Sequence, residues 1–250
     1  MDIPLTEFDP NPRAVIDPTR HAGRASVPIH AVACWFRDVV EDVTDGVEPV
    51  YEMQTESGPF PIWVIEHDAA PLALFHPGVG APLAVSCLEI VIALGSTRII
   101  GCGSAGVLVP GFDVGHVVVP TSAIRDEGTS YHYAAHDHEA RPHPDAVVAI
   151  EAELTEAGVP WESGATWTTD AFFRETTSKV ARRRDQGCIT VEMEASAFFT
   201  VAAFRGATYG QLLYAGDDVS AEEWDHRHWD RQHSARRRLL ELACGAALRL

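Results

Sequence analysis

No run in this 250-residue chain approaches the roughly 18 to 20 consecutive apolar residues that a membrane-crossing helix needs. The opening stretch, MDIPLTEFDPNPR, is acidic and broken by proline, and it lacks the apolar core of a signal peptide. Together these absences predict a cytoplasmic protein. The five cysteines (Cys34, Cys87, Cys102, Cys188 and Cys244) are scattered, odd in number and never spaced as CxxC. They read as free buried thiols in a reducing compartment, not as a disulfide frame. Positive charge is scarce as well: 19 Lys and Arg face 36 Asp and Glu, for a formal net charge of -17. Such a surface repels nucleic acid and anionic lipid, which excludes both as partners. Repeats and low-complexity linkers are absent.

Two catalytic signatures are missing too. The twelve histidines are densest in HDHEARPH (136–143) and HRH (226–228), yet neither HExxH nor a Cys/His finger spacing occurs. A solvated loop is the simpler reading, and no metal is expected. GSAG (103–106) is not the GxSxG elbow of a serine hydrolase.

What is present is a chain 46% hydrophobic, enough for one large core. Residues 1–28 read as an irregular arm and 29–250 as one domain. IHAVACWF (29–36), PIWVIEH (61–67), LALFH (72–76), RIIGCG (98–103), GHVVVP (115–120), ITVEME (189–194) and QLLYAG (211–216) read as strands. Several lack alternation, as strands covered on both faces do. APLAVSCLEIVIALG (81–95) reads as a buried helix, with Pro82 in its first turn and Gly95 at its end. Residues 144–158, 175–187, 195–205 and 230–249 are further helices. The pattern predicts an α/β fold with helices on both faces and sites at the carboxyl ends of strands.

The chemistry concentrates in a few places. Glu192 and Glu194 flank Met193 where a strand runs into a helix. Ionised carboxylates are rarely left buried without partners. Two readings stay open: carboxylates favoured by a helix N-terminus, or a ligand clasp. Asp217 and Asp218 follow QLLYAG as a second acidic pair, either a helix cap or a functional strand end. GCGSAG (101–106) lets a ligand approach backbone amides. HPGVGAP (76–82) is a similar turn. RDEGTSYHY (125–133) packs charge, hydroxyls and aromatics into one loop. TTDAFFRET (168–176) offers Phe172 and Phe173, either as core or as a stacking surface for a flat base.

In this order, HPGVGAP, GCGSAGVLVPGFDVGHVVVP, RDEGTSYHY, TTDAFFRE, VEMEASAFF and AGDDVS resemble the nucleoside phosphorylase family from about residue 29 to 249. That family contains purine nucleoside phosphorylases, uridine phosphorylases and methylthioadenosine nucleosidases. The resemblance implies a single α/β domain around a mixed, barrel-like sheet flanked by helices. It also implies a homo-oligomer, dimer or hexamer, acting on a small-molecule nucleoside in catabolism or salvage. No cofactor is implied, only inorganic phosphate as co-substrate. By similarity Glu194 grips the ribose hydroxyls, Met193 packs beneath the sugar and Glu192 lies beside them. Phe172 stacks on the base, and Asp217 protonates a purine ring nitrogen as the base leaves. Ser104 and the amides around Gly103 match the floor of the phosphate site.

The departures are informative. Phosphorylases of the family carry a Gly-Asp-Pro-x-Arg loop after the first strand, where this chain has CWFRDVV. They place an arginine three residues before the site hydroxyl, where this chain has Gly101. Arg37 and Arg98 are the possible substitutes for phosphate binding. Uridine phosphorylases read uracil with a glutamine and an arginine, where this chain has Thr176 and Ser178, and Asp217 suits a purine. The expected activity is phosphorolysis of a purine nucleoside to free base and ribose 1-phosphate. The alternatives are a phosphate-independent hydrolase, for which Asp38 is the nearest carboxylate to the hydrolases' glutamate, and a non-catalytic nucleoside binder.

Overall fold

A computed structural model describes residues 3–23, 25–137 and 139–250. Met1, Asp2 and Arg24 of the arm, and His138 of the first histidine cluster, lie outside them. In chain order the elements are α1 (Pro18–Ala22), β1 (His30–Cys34), α2 (Arg37–Val43), β2 (Tyr51–Thr55), β3 (Gly58–His67), β4 (Ala70–Phe75) and α3 (Ala81–Leu94). Then come β5 (Arg98–Val107), β6 (Val117–Asp126), β7 (Glu139–Ala140), α4 (Pro144–Glu156), β8 (Trp161–Thr169) and α5 (Thr177–Asp185). The last are β9 (Cys188–Glu192), α6 (Ala195–Arg205), β10 (Thr208–Asp218) and α7 (His233–Leu248).

Five strands close a mixed barrel in the order β10-β6-β8-β9-β5, with β5 pairing back to β10. β5 also pairs with β1, from which β4, β3 and β2 continue as a side sheet. β5 runs parallel to β1 and β10 and antiparallel to β9. The expected α/β domain with a barrel-like sheet is therefore what forms.

Strand periodicity explains how one sheet feeds two cores. On β1, Ala31 and Ala33 face a core built on α3 and α6, while Val32 and Cys34 face a core built on α4 and α7. With both faces covered, the strand has no polar side, which is why its sequence does not alternate. α3 has Pro82 in its first turn, which lacks the amide that would go unpaired there, and stops at Gly95, whose φ of 123° suits glycine.

Three elements carry no strong sequence signal. β8 (WESGATWTT) has no apolar run, yet Thr166, Trp167, Thr168 and Thr169 are buried. The β-branched threonines and the aromatic Trp167 suit a sheet covered on both faces. β2 is a half-exposed edge strand. α2 is a helix of two turns where the sequence reads as strand end and loop. The arm carries α1 and a short helical turn at Pro4–Thr6. It is tied down by Arg205 donating to the Pro12 carbonyl (2.8 Å) and the Tyr51 hydroxyl donating to the His21 carbonyl (3.0 Å). Among the described residues, no helix is long and apolar enough to cross a membrane, and no group of three or more His, Cys, Asp or Glu is gathered to hold a metal.

Candidate active site

β9 ends at Glu192 and α6 begins at Ala195, so VEME is a strand-to-helix corner. Glu192 supports that corner. Its Oε1 accepts from the Thr168 hydroxyl at 2.6 Å, and its Oε2 accepts from the amides of Glu194 and Ala195, each at 2.6 Å. Most of its acceptor capacity is therefore taken by the chain itself. Burial pushes its carboxyl up to about 7 despite these donors. The sequence reading places Glu192 beside the sugar; the structure makes it the brace that holds Met193 and Glu194 in position.

Glu194 points the other way, and its Oε1 accepts from the Gly80 amide at 2.5 Å. This bond joins VEME to the HPGVG turn ahead of α3. Burial, then the negative charge of Glu192, raises the Glu194 carboxyl to about 8. A buried carboxylate with spare acceptor sites suits a ligand rich in hydroxyl donors. Met193 between the two is half-buried. The antiparallel register of β5 and β9 ends with Gly106 opposite Val191.

Asp217 arrives from β10 through an irregularity. Ala215 pairs with Ala105 but Asp218 pairs with Val107, so β10 holds one extra residue in between. Such a bulge re-aims a side chain. It lays the Asp217 carboxylate over Gly106, with Oδ1 3.5 Å and Oδ2 3.7 Å from where a Cβ would stand. The Val191 side chain flanks the same spot at 3.0 Å. A Cβ at 106 would press on Val191 while meeting Asp217 at ordinary contact distance. The Trp224 indole N–H donates to Asp217 Oδ2 at 2.7 Å. Asp218 turns away, pairing with Arg227 and accepting from the Ser220 amide at 2.7 Å. The acidic pair thus splits into one carboxylate over the barrel and one that pins a loop.

Phe172 sits in a helical turn directly after β8 and is 53% exposed, its ring 4.2 Å from that of Phe173. Glu175 closes that turn and is half-buried. Burial, then the charge of Asp217, raises its carboxyl to about 7. The sequence reading overlooks Glu175. Its only signal is a carboxylate three residues after Phe172.

The anion corner differs most from family expectation. A Cβ on Gly101 would overlap the Tyr209 hydroxyl and lie 3.2 Å from the Trp35 ring. Trp35 follows β1, where the family's anion loop belongs, and its ring packs at a tilt of 59° against Phe198, 5.2 Å away. The missing arginine and the missing loop are therefore one fact: aromatic rings fill the corner. Gly103 lies under Trp35, whose Cβ is 3.6 Å from a Cβ built there. Ser104 hydrogen-bonds the Tyr214 phenol.

Arg37 opens α2, is exposed and has no ion pair among the described residues. It lies beside His76, which burial and then the Arg37 charge lower to about 4, so that imidazole is neutral. Arg98 must be removed from the candidates. It begins β5, opposite His30 and Thr208, six residues or roughly 20 Å from Ser104 along the strand. Asp38 is spoken for by Arg236 and His233, each at 2.8 Å.

RDEGTSYHY uses its charges to build itself. Arg125 is buried, donates to the Ser130 hydroxyl and the Ala135 carbonyl at 2.9 Å each, and lies over the Tyr131 ring. Glu127 accepts from the Ser130 amide at 3.0 Å and the Ser196 hydroxyl at 2.9 Å, tying the loop to α6. A cavity of about 570 Å³ opens on this side, lined by Pro82, Ser86, Gly128, Asp170 and Leu5 of the arm among others. Glu194, Phe172 and Asp217 are not among its lining residues.

The sequence matches the model of the phosphorylase superfamily over residues 32–249. It is 27% identical over 194 residues to a guanosine phosphorylase of Halorubrum lacusprofundi, covering 75% of this chain and 79% of that one. It is 25% identical over 175 residues to a uridine phosphorylase of Haemophilus influenzae, covering 64% of this chain and 69% of that one. Among solved structures, the purine nucleoside phosphorylase of Toxoplasma gondii bound to immucillin-H superposes with a TM-score of 0.76 at 19% identity, over 90% of this chain and 92% of that one. That likeness is one of fold. With its family model spanning nearly the whole domain, this chain belongs to the phosphorylase superfamily.

Proposed function

We propose that this protein cleaves the N-glycosidic bond of a purine nucleoside by phosphorolysis, as a pentosyltransferase releasing free base and ribose 1-phosphate. The observation that carries this reading is the placement of Asp217 over Gly106, against Val191, one residue before the corner that presents Met193 and Glu194. The proton donor then stands beside the strand end that leads into the sugar clasp. Glu194 accepts from the ribose hydroxyls, Met193 lies under the ring, and Phe172 covers the base. As the C1′–N9 bond breaks, its electron pair passes to the purine and N7 takes a proton from Asp217. A phosphate oxygen bonds to C1′. Such proton transfer contributes roughly 10²–10⁴-fold in rate. Arg37, the Ser104 hydroxyl and the amides near Gly103 are the groups that favour the phosphate, and charge-assisted contacts of this kind are the strong ones. No cofactor enters. The exposed Phe172 and Phe173 at the mouth also support assembly into a dimer or hexamer.

A second reading, hydrolysis by water, is favoured by one observation: Trp35 and Tyr209 fill the corner where an arginine would meet phosphate. One experiment separates the two. Incubate the protein with inosine, guanosine, adenosine and uridine, with and without phosphate, and identify the sugar product. Phosphate-dependent ribose 1-phosphate from the purines is expected. Free ribose at the same rate in both conditions would replace phosphorolysis with hydrolysis.

A further inference from the structure

We propose that Trp224 is a positioning residue for proton transfer: its indole N–H orients the Asp217 carboxyl and assigns the transferable proton to Oδ1. This rests on the reading of Asp217 given above. Trp224 is 61% exposed, so burial of its ring does not account for its placement. What it does make is a 2.7 Å hydrogen bond to Asp217 Oδ2, with its ring edge-on to His226 at 5.1 Å.

An indole N–H can only donate. Oδ2 therefore accepts whenever this bond is made, and because the carbonyl-type oxygen of a protonated carboxyl is its better acceptor, the bond favours the hydrogen on Oδ1. Once the proton has left, the same N–H stabilises the carboxylate that remains. The Glu175 carboxyl faces Asp217 from the turn after β8, and the Tyr214 phenol faces it from β10.

The segment that delivers the indole is built for placement. Asp218 and Asp225 exchange both backbone hydrogen bonds, at 2.9 and 3.0 Å. Arg227 pairs with the Asp218 carboxylate and donates to the Phe112 carbonyl at 2.8 Å. The chain from 219 to 224 is thus a closed loop with Trp224 next to its clasp, and Asp218 is the latch. This gives the second acid of the pair a purpose that the reaction itself does not.

The test compares guanosine with 7-methylguanosine, whose alkylated N7 needs no proton on departure. In phosphate, Trp224→Phe should lower kcat/KM for guanosine roughly tenfold or more while leaving 7-methylguanosine within about twofold. Turnover of the methylated substrate also reports that the variant is folded. Equal losses on both substrates, or no loss on guanosine, overturn the proposal. Asp217→Asn is run alongside. If it too affects both substrates equally, the reading of Asp217 as the acid falls, and the role of Trp224 falls with it.

Discussion

Tyr209 occupies the space that a side chain at Gly101 would need, with its hydroxyl donating to Gln211 at 3.1 Å. Trp35 closes the same corner from the end of β1. Two aromatic side chains thus pack against the small residue at 101, and the consequences can be measured.

Gly101→Ala should destabilise the fold. Overpacking a core costs about 1–3 kcal/mol, which lowers the melting temperature by several degrees in a chain of this size. Pairing it with Tyr209→Phe removes the overlapping oxygen and should recover part of the loss. Strict additivity of the two changes in thermal melts would show that they do not share the corner.

Arg37→Ala should raise the KM for phosphate roughly tenfold, as expected for one lost charge-assisted contact. The KM for nucleoside should stay unchanged. Initial rates with each substrate varied in turn provide the check. A uniform fall in kcat with both KM values intact would remove Arg37 from the anion site.

Stability should fall as pH rises from about 4.5 to about 8. An unfolded glutamate releases its proton near 4.5, whereas burial holds the Glu194 proton until about 8. Through that window the folded state binds more protons than the unfolded state, so raising pH favours unfolding. Glu192, raised to about 7, acts in the same direction. Glu194→Gln should flatten the slope and raise the melting temperature at pH 8 relative to pH 5. Parallel pH profiles for the two proteins would contradict this.

Asp217→Asn should cost purine nucleosides roughly 10²–10⁴-fold in kcat. Uridine, which has no N7 to protonate, should lose less. Steady-state rates on both measure the difference, and equal losses would separate Asp217 from purine leaving-group chemistry.

The sequence alone determined the α/β class, most strand and helix positions and the short motifs. These depend on local periodicity and turn chemistry, which the chain carries in its own order. β8 escaped because threonines buried on both faces of a sheet resemble a polar loop until neighbouring strands cover them. The tertiary structure alone decided which carboxylates are free. VEME reads as two equivalent glutamates, but three donors from Thr168, Glu194 and Ala195 claim Glu192 and leave Glu194 with spare acceptor capacity. DD reads as a pair, but one extra residue in β10 turns Asp217 over the barrel and Asp218 toward Arg227. Arg98 and Arg37 are both plausible in one dimension, and only the direction of β5 removes Arg98. A carboxylate's role depends on which donors reach it through space, and those donors come from strands and loops far away along the chain.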